Sequence, residues 1–203
     1  MFVDVVSWAA AALILLAAAV IMTERDWRVN LGALGAQYLA AFWLITRHLP
    51  FIIGSTKLIT GWMVIAILGI TRSGAENFEE DESSGLPRDR FFGFVFAGIA
   101  LLVSAGASLR IEALIPGLEI PVIAGSLLLI ITGILQLGIT SDLLRALIGL
   151  LSMLAGFEVI YAAVENSVLV AGLLAIVNLG LALVGAYLLL AGSLPAQPAG
   201  DEP

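Results

Sequence analysis

Seven stretches of this chain are candidate membrane spans: Phe2–Met22, Val29–Thr46, Phe51–Ile70, Phe91–Leu109, Pro121–Ile139, Leu143–Ala163 and Ser167–Leu190. A hydrocarbon core roughly 30 Å thick takes about 20 helical residues to span. Lipid offers no hydrogen bonds to a bare backbone, so only helices and closed barrels are viable there. Barrel strands alternate inward and outward with period two; these runs do not alternate. The composition agrees, being 61% hydrophobic and 12% charged, whereas a soluble domain is about 45–50% apolar and about 25% charged. The expected fold is all-α, a polytopic membrane protein of about seven transmembrane helices.

A single membrane domain is expected over residues 1–193. An acidic cytoplasmic loop (71–90) interrupts it, and a disordered Ala-, Gly- and Pro-rich tail follows at 194–203. The N-terminal run lacks a basic flank and is longer than a signal-peptide core, so it is read as a retained span. The acidic run of Glu76, Glu79, Glu80, Asp81 and Glu82 reads as a solvated linker, or more sharply as a docking strip for a basic soluble partner. Spans one to three and five to seven share one pattern: helix, Arg-bearing loop, helix, short loop, helix. This suggests a 3+1+3 parallel repeat with span four as joiner. Six of the eight arginines (Arg25, Arg28, Arg72, Arg88, Arg90, Arg145) are assigned to odd-numbered loops, and Arg47 and Arg110 to even ones. By the positive-inside rule the N-terminus is expected outside and the C-terminus in the cytoplasm, in the cytoplasmic membrane.

Polar residues inside spans carry the functional information. A charge at mid-helix costs roughly 2.5 to 3.5 kcal/mol on insertion scales, so such groups are seldom incidental. Lys57, the only lysine, lies about 10 Å along its helix from Pro50 and about 20 Å from Ile70. It either snorkels to the outer surface or is a buried amine whose charged form desolvation disfavours, able to load and release a proton. The second reading is preferred. Glu158, in the outer half of span six, is either a partner for a neighbouring subunit or part of a proton relay. Gln37 and Asn178 complete the candidate path. Both are uncharged, and each is a helix-to-helix hydrogen-bonding group before it is anything else. Gln136 reads the same way, whereas Asp4, Glu112, Glu119, Asp142 and Glu165 fall at span ends, where a carboxylate is cheap.

No cysteine is present, which removes disulfides, thiolate clusters and covalent haem attachment. His48, the one histidine, cannot build a metal site alone. Phosphate-binding glycine loops, metal-ligand spacings and nucleophile elbows are missing, and no basic patch suggests nucleic acid. No cofactor is expected, and catalysis by the chain itself is disfavoured.

The last three spans resemble the three-helix subunit K of respiratory complex I and its three-helix counterpart in Mrp-type cation/proton antiporters. In both, the second helix has a motif of the form I-G-L-E-x-M-x-N-A. Over nearly its full length the chain is similar to membrane component E of hydrogenase-4 and formate hydrogenlyase systems. Thr56-Lys57 looks like that family's intramembrane Thr-Lys pair, and Gln37 follows Arg28 at a similar spacing. If IGLLSMLAG (Ile148–Gly156) is the motif, Leu151 stands at the carboxylate position and Ala155 at the Asn position. If GFEVIYAA (Gly156–Ala163) is the motif, Glu158 is the carboxylate, seven residues along and on the same helix face. The family's second carboxylate, on the final helix, has no acidic counterpart; Asn178 lies near it.

The resemblance implies an accessory, non-catalytic subunit of a proton- or cation-translocating complex, embedded in lipid with other membrane subunits and coupled to a soluble redox module or to antiporter-like subunits. Alternatively the chain is a structural subunit whose polar groups lock neighbours together. A stand-alone small-solute transporter is a third reading, disfavoured because no broken helix carries a mid-membrane polar cluster.

Overall fold

A computed structural model describes residues 2–74, 90–114, 117–165 and 167–192. These form seven helices: α1 (Phe2–Thr23), α2 (Trp27–Ile45), α3 (Phe51–Gly74), α4 (Arg90–Leu114), α5 (Ile120–Ile139), α6 (Leu143–Val164) and α7 (Val168–Gly192). The all-α, multi-pass membrane architecture expected from the apolar runs is what is found. Six of the helices are long and apolar enough to cross a membrane; α2 is the exception. The reason is its position. Ten of its nineteen residues are buried, among them Asn30 and Gln37, so α2 turns polar groups toward other helices where an outer helix would need apolar ones.

Three local boundaries differ from expectation. Arg72 belongs to the last turn of α3, and Arg110 and Glu112 are helical within α4. Arg145 lies in the first turn of α6 and is buried, not in a loop. Long cationic and amphipathic side chains let a helix run on past the apolar run that marks it. Residues 71–74 are thus helix and not loop. The acidic run and the tail 194–203 lie outside the described residues.

Helix starts follow local chemistry. Asp26 caps α2, its carboxylate accepting from Arg28 N at 2.8 Å, and Asp142 caps α6, accepting from Arg145 N at 3.0 Å. Pro121 opens α5, where its missing N–H costs nothing.

Packing places α1, α2 and α3 against α5, α6 and α7 respectively, each helix on its counterpart, while α4 lies against α1 and α5. This is the three-plus-one-plus-three arrangement, two rows of three laid side by side. The α5–α6 contact is the tightest: a Cβ on Gly133 would stand 2.5 Å from Gly149 O, and one on Gly156 would stand 2.6 Å from Ser126 O. The outer seam repeats at three and four residues. Gly54, Lys57, Gly61, Val64 and Leu68 of α3 are buried, as are Asn178, Ala182, Gly185 and Leu189 of α7.

Polar contacts between loops and helix ends define two faces. On one, Arg145 Nη2 (2.9 Å) and Asn30 Nδ2 (3.3 Å) both donate to Glu24 O, bringing together the ends of α1, α2 and α6. On the other, Arg47, after α2, makes a two-pronged ion pair with Glu119, before α5, with Nε to Oε2 at 3.2 Å. Odd-numbered connections one and five therefore share a face, opposite connections two and four.

Candidate functional site: a buried charge network

The third, sixth and seventh helices meet at an ion pair. Lys57 Nζ of α3 donates to Glu158 Oε1 of α6, and both residues are buried, 8% and 4% exposed. Lys57 turns inward, so the snorkelling reading does not hold. Glu158 has partners within the chain. The same Oε1 accepts from Asn178 Nδ2 of α7 at 2.7 Å. The other hydrogen of that amide goes to Leu174 O at 3.2 Å, and Asn178 Oδ1 accepts from the Tyr38 hydroxyl of α2 at 3.2 Å. This fixes the amide's orientation, nitrogen toward the carboxylate and oxygen toward the phenol. Four helices thus contribute one side chain each to a continuous chain of hydrogen bonds.

Local sequence makes the geometry. Gly61, one turn beyond Lys57, lies so close to Tyr38 that a Cβ there would stand 2.5 Å from a ring carbon. The bare backbone lets the ring lie along α3 and carries its hydroxyl to Asn178. Glu158 and Leu151, seven residues apart on α6, are both buried, as the two-turn spacing requires. Both positions point inward, and Glu158 is the one that meets a cation.

Gln37, the fourth candidate, is buried but does not join this network. Its Oε1 accepts from Ser152 Oγ of α6 at 2.7 Å. Ser152 precedes Glu158 by six residues, about 9 Å along the helix, so the two polar clusters are successive levels of one column between α2 and α6. Sequence reading misses Tyr38, Ser152 and the Arg145–Glu24 contact. Tyr38 offers a signal: a tyrosine deep inside a span, away from the interfacial belts where that residue collects, needs a buried partner.

A cavity of about 10 Å³, room for about one water, adjoins the ion pair. Lys57, Glu158, Tyr161, Glu165, Ser167 and Leu49 are among its lining residues. Because Leu49 and Ser167 belong to connections two and six, this cavity lies on the side of the pair toward the face that carries Arg47 and Glu119.

Chemically, two effects oppose each other at the pair. Burial penalises two charges, and their mutual attraction with the Asn178 hydrogen bond offsets that penalty. Moving the proton from Nζ to Oε1 converts the ion pair to a neutral pair and leaves no unbalanced charge in lipid. Among the described residues no cluster of His, Asp and Glu could hold a metal ion. In comparisons with known proteins, no family model, curated protein or solved structure matches the chain.

Proposed function

We propose that this chain is a non-catalytic membrane subunit of a proton- or cation-translocating assembly, similar to hydrogenase-4 component E, complex I subunit K or the three-helix Mrp antiporter subunit. Its Lys57–Glu158 pair takes part in the ion path. The observation that carries the reading is the buried pair itself, hydrogen-bonded onward through Asn178 to Tyr38 and bordered by a cavity. A proton reaching the cavity enters at Glu158 or Lys57. A charge approaching from a neighbouring subunit shifts the balance between ion pair and neutral pair, and the proton leaves when that charge withdraws. Arginines at the ends of α1, α2, α3 and α6 put connections one and five in the cytoplasm and the N-terminus outside. Antiporter-like subunits in the cytoplasmic membrane, or a soluble redox module, are the partners this reading calls for.

One observation favours a second reading. Lys57 and Glu158 pair with each other and Glu158 with Asn178, tying α3, α6 and α7 together, which suits a purely structural staple. Lys57→Arg separates the two. Arginine keeps the charge and its hydrogen bonds but does not deprotonate in proteins. In inverted membrane vesicles carrying the whole complex, the relay reading predicts normal assembly with proton translocation lost. Translocation at the wild-type rate in that variant would overturn the relay and leave the staple.

A further inference from the structure

A second cavity lies on the other side of the Gln37–Ser152 bond, among α1, α2, α5 and α6, again about 10 Å³. Met22, Gln37, Thr132, Gln136, Gly149 and Ser152 line it. Gln136 is 2% exposed, and its Nε2 has no hydrogen-bond partner. An unmet buried amide donor costs about 1–3 kcal/mol, so the side chain needs an acceptor in the space it borders. Two hydroxyls on the cavity wall have donated their own hydrogens elsewhere: Thr132 Oγ1 to Leu128 O at 2.6 Å, and Ser152 Oγ to Gln37 Oε1 at 2.7 Å. Their oxygens keep lone pairs to accept.

One donor facing two acceptors, in a space of one molecule, describes a water site. A water needs two to four polar partners to be held inside a protein. Here it accepts from Gln136 Nε2 and donates to Thr132 Oγ1 and Ser152 Oγ. Gly133 and Gly149, also on the cavity wall, hold α5 and α6 in close backbone contact there: a Cβ on Gly149 would stand 3.0 Å from Gly133 O.

We propose that this cavity is a specific internal water site held by Gln136, Thr132 and Ser152. It carries the polar column from the Gln37–Ser152 level toward the face of connections one and five. Met22 and Gln136 stand close to the ends of α1 and α5, which places the water one level in from the cluster of Arg145, Asn30 and the Glu24 carbonyl. The water site stands on its own geometry; its use as the far half of an ion path rests on the function proposed above.

Synchrotron radiolytic footprinting of the purified full chain, read by mass spectrometry, tests it, because hydroxyl radicals generated from bound water oxidise the side chains beside it. Met22 lines the cavity and is 5% exposed, so bulk water does not reach it. Met22 is expected to be oxidised in the wild type, with oxidation falling severalfold in Gln136→Leu, which removes the donor and fills the space. Should that variant fail to fold, Thr132→Val removes one acceptor at nearly unchanged volume and is expected to lower Met22 oxidation in the same direction. A Met22 that stays unoxidised in the wild type, or is oxidised equally in a folded variant, overturns the site. This readout is independent of transport. An oxidised Met22 alongside normal translocation by Lys57→Arg keeps the water and rejects the relay.

Discussion

At the scale of single residues, the Lys57–Glu158 pair sets the sharpest expectation. Breaking a buried pair by removing one partner costs about 3–5 kcal/mol, because the other charge is left uncompensated, whereas replacing both by apolar groups is often close to neutral. Lys57→Met and Glu158→Leu should each lower the thermal unfolding midpoint in detergent strongly, and the double variant should recover most of the loss. A double variant as unstable as the sum of the singles would mean the two side chains are not coupled. Tyr38→Phe leaves the buried Asn178 Oδ1 without its donor and should cost about 1–3 kcal/mol, less than breaking the ion pair, with Asn178 still held by Glu158. His48 gives a pH signature outside the membrane segments. Burial lowers its pKa from 6.5, opposed by Glu119 and reinforced by Arg47, and its Nε2 is buried without a partner. The folded state therefore binds fewer protons than the unfolded one, so stability is full above about pH 6.5. It falls as the pH drops from there toward the lowered folded value and then levels. Wild type minus His48→Gln, followed by melting from about pH 8 to about pH 5, should show this slope. Parallel melting curves for the two proteins would rule it out.

At the scale of helices, the glycines divide by what faces them. Gly133 and Gly156 sit where a Cβ would meet the backbone of the opposing helix, whereas Gly98, Gly172 and Gly180 meet nothing. Overpacking a tight contact costs typically about 1–3 kcal/mol. Gly133→Ala and Gly156→Ala should each lower the melting midpoint and reduce yield, while Gly98→Ala and Gly180→Ala should be neutral or slightly stabilising. Equal effects in both sets, measured side by side in one detergent, would deny the α5–α6 seam its role. Sequence and structure part company at this scale for a definite reason. An apolar run announces a helix by length alone, so all seven are legible, and a mid-span polar group announces itself by cost, so Lys57, Glu158, Gln37 and Asn178 can be named. What periodicity does not encode is which helix stands beside which. Residue 57 meets residue 158 only because α3 and α6 both pack around α7 and α2, and that pairing depends on small residues whose neighbours are distant in the chain. Arg145 is misplaced by sequence for a related reason: an arginine at a helix start looks like a loop residue until a carbonyl on another element, here Glu24 O, is known to receive it.

For the whole molecule, the two cavities and two polar end clusters line up as a column with a hydrogen-bonded level between the cavities. From one face, the first cavity reaches Lys57 and Glu158; from the other, the second cavity reaches Gln136 and Ser152. Between them stand Tyr38, Asn178 and the Gln37–Ser152 bond, all of them hydrogen-bonded. On the function proposed above, this hydrogen-bonded level would keep a continuous thread of water from joining the two cavities. The arrangement also makes a prediction about sidedness. The chain contains no cysteine, so a single introduced thiol is the sole target for a membrane-impermeant maleimide. Ser167→Cys and Ala171→Cys border the first cavity, and Arg25→Cys stands in the first connection, on the opposite face. In intact cells the first two should be labelled at once and the third only after the membrane is permeabilised. The reverse pattern would invert the proposed orientation and keep the two-faced column; labelling of all three from one side would reject the column itself.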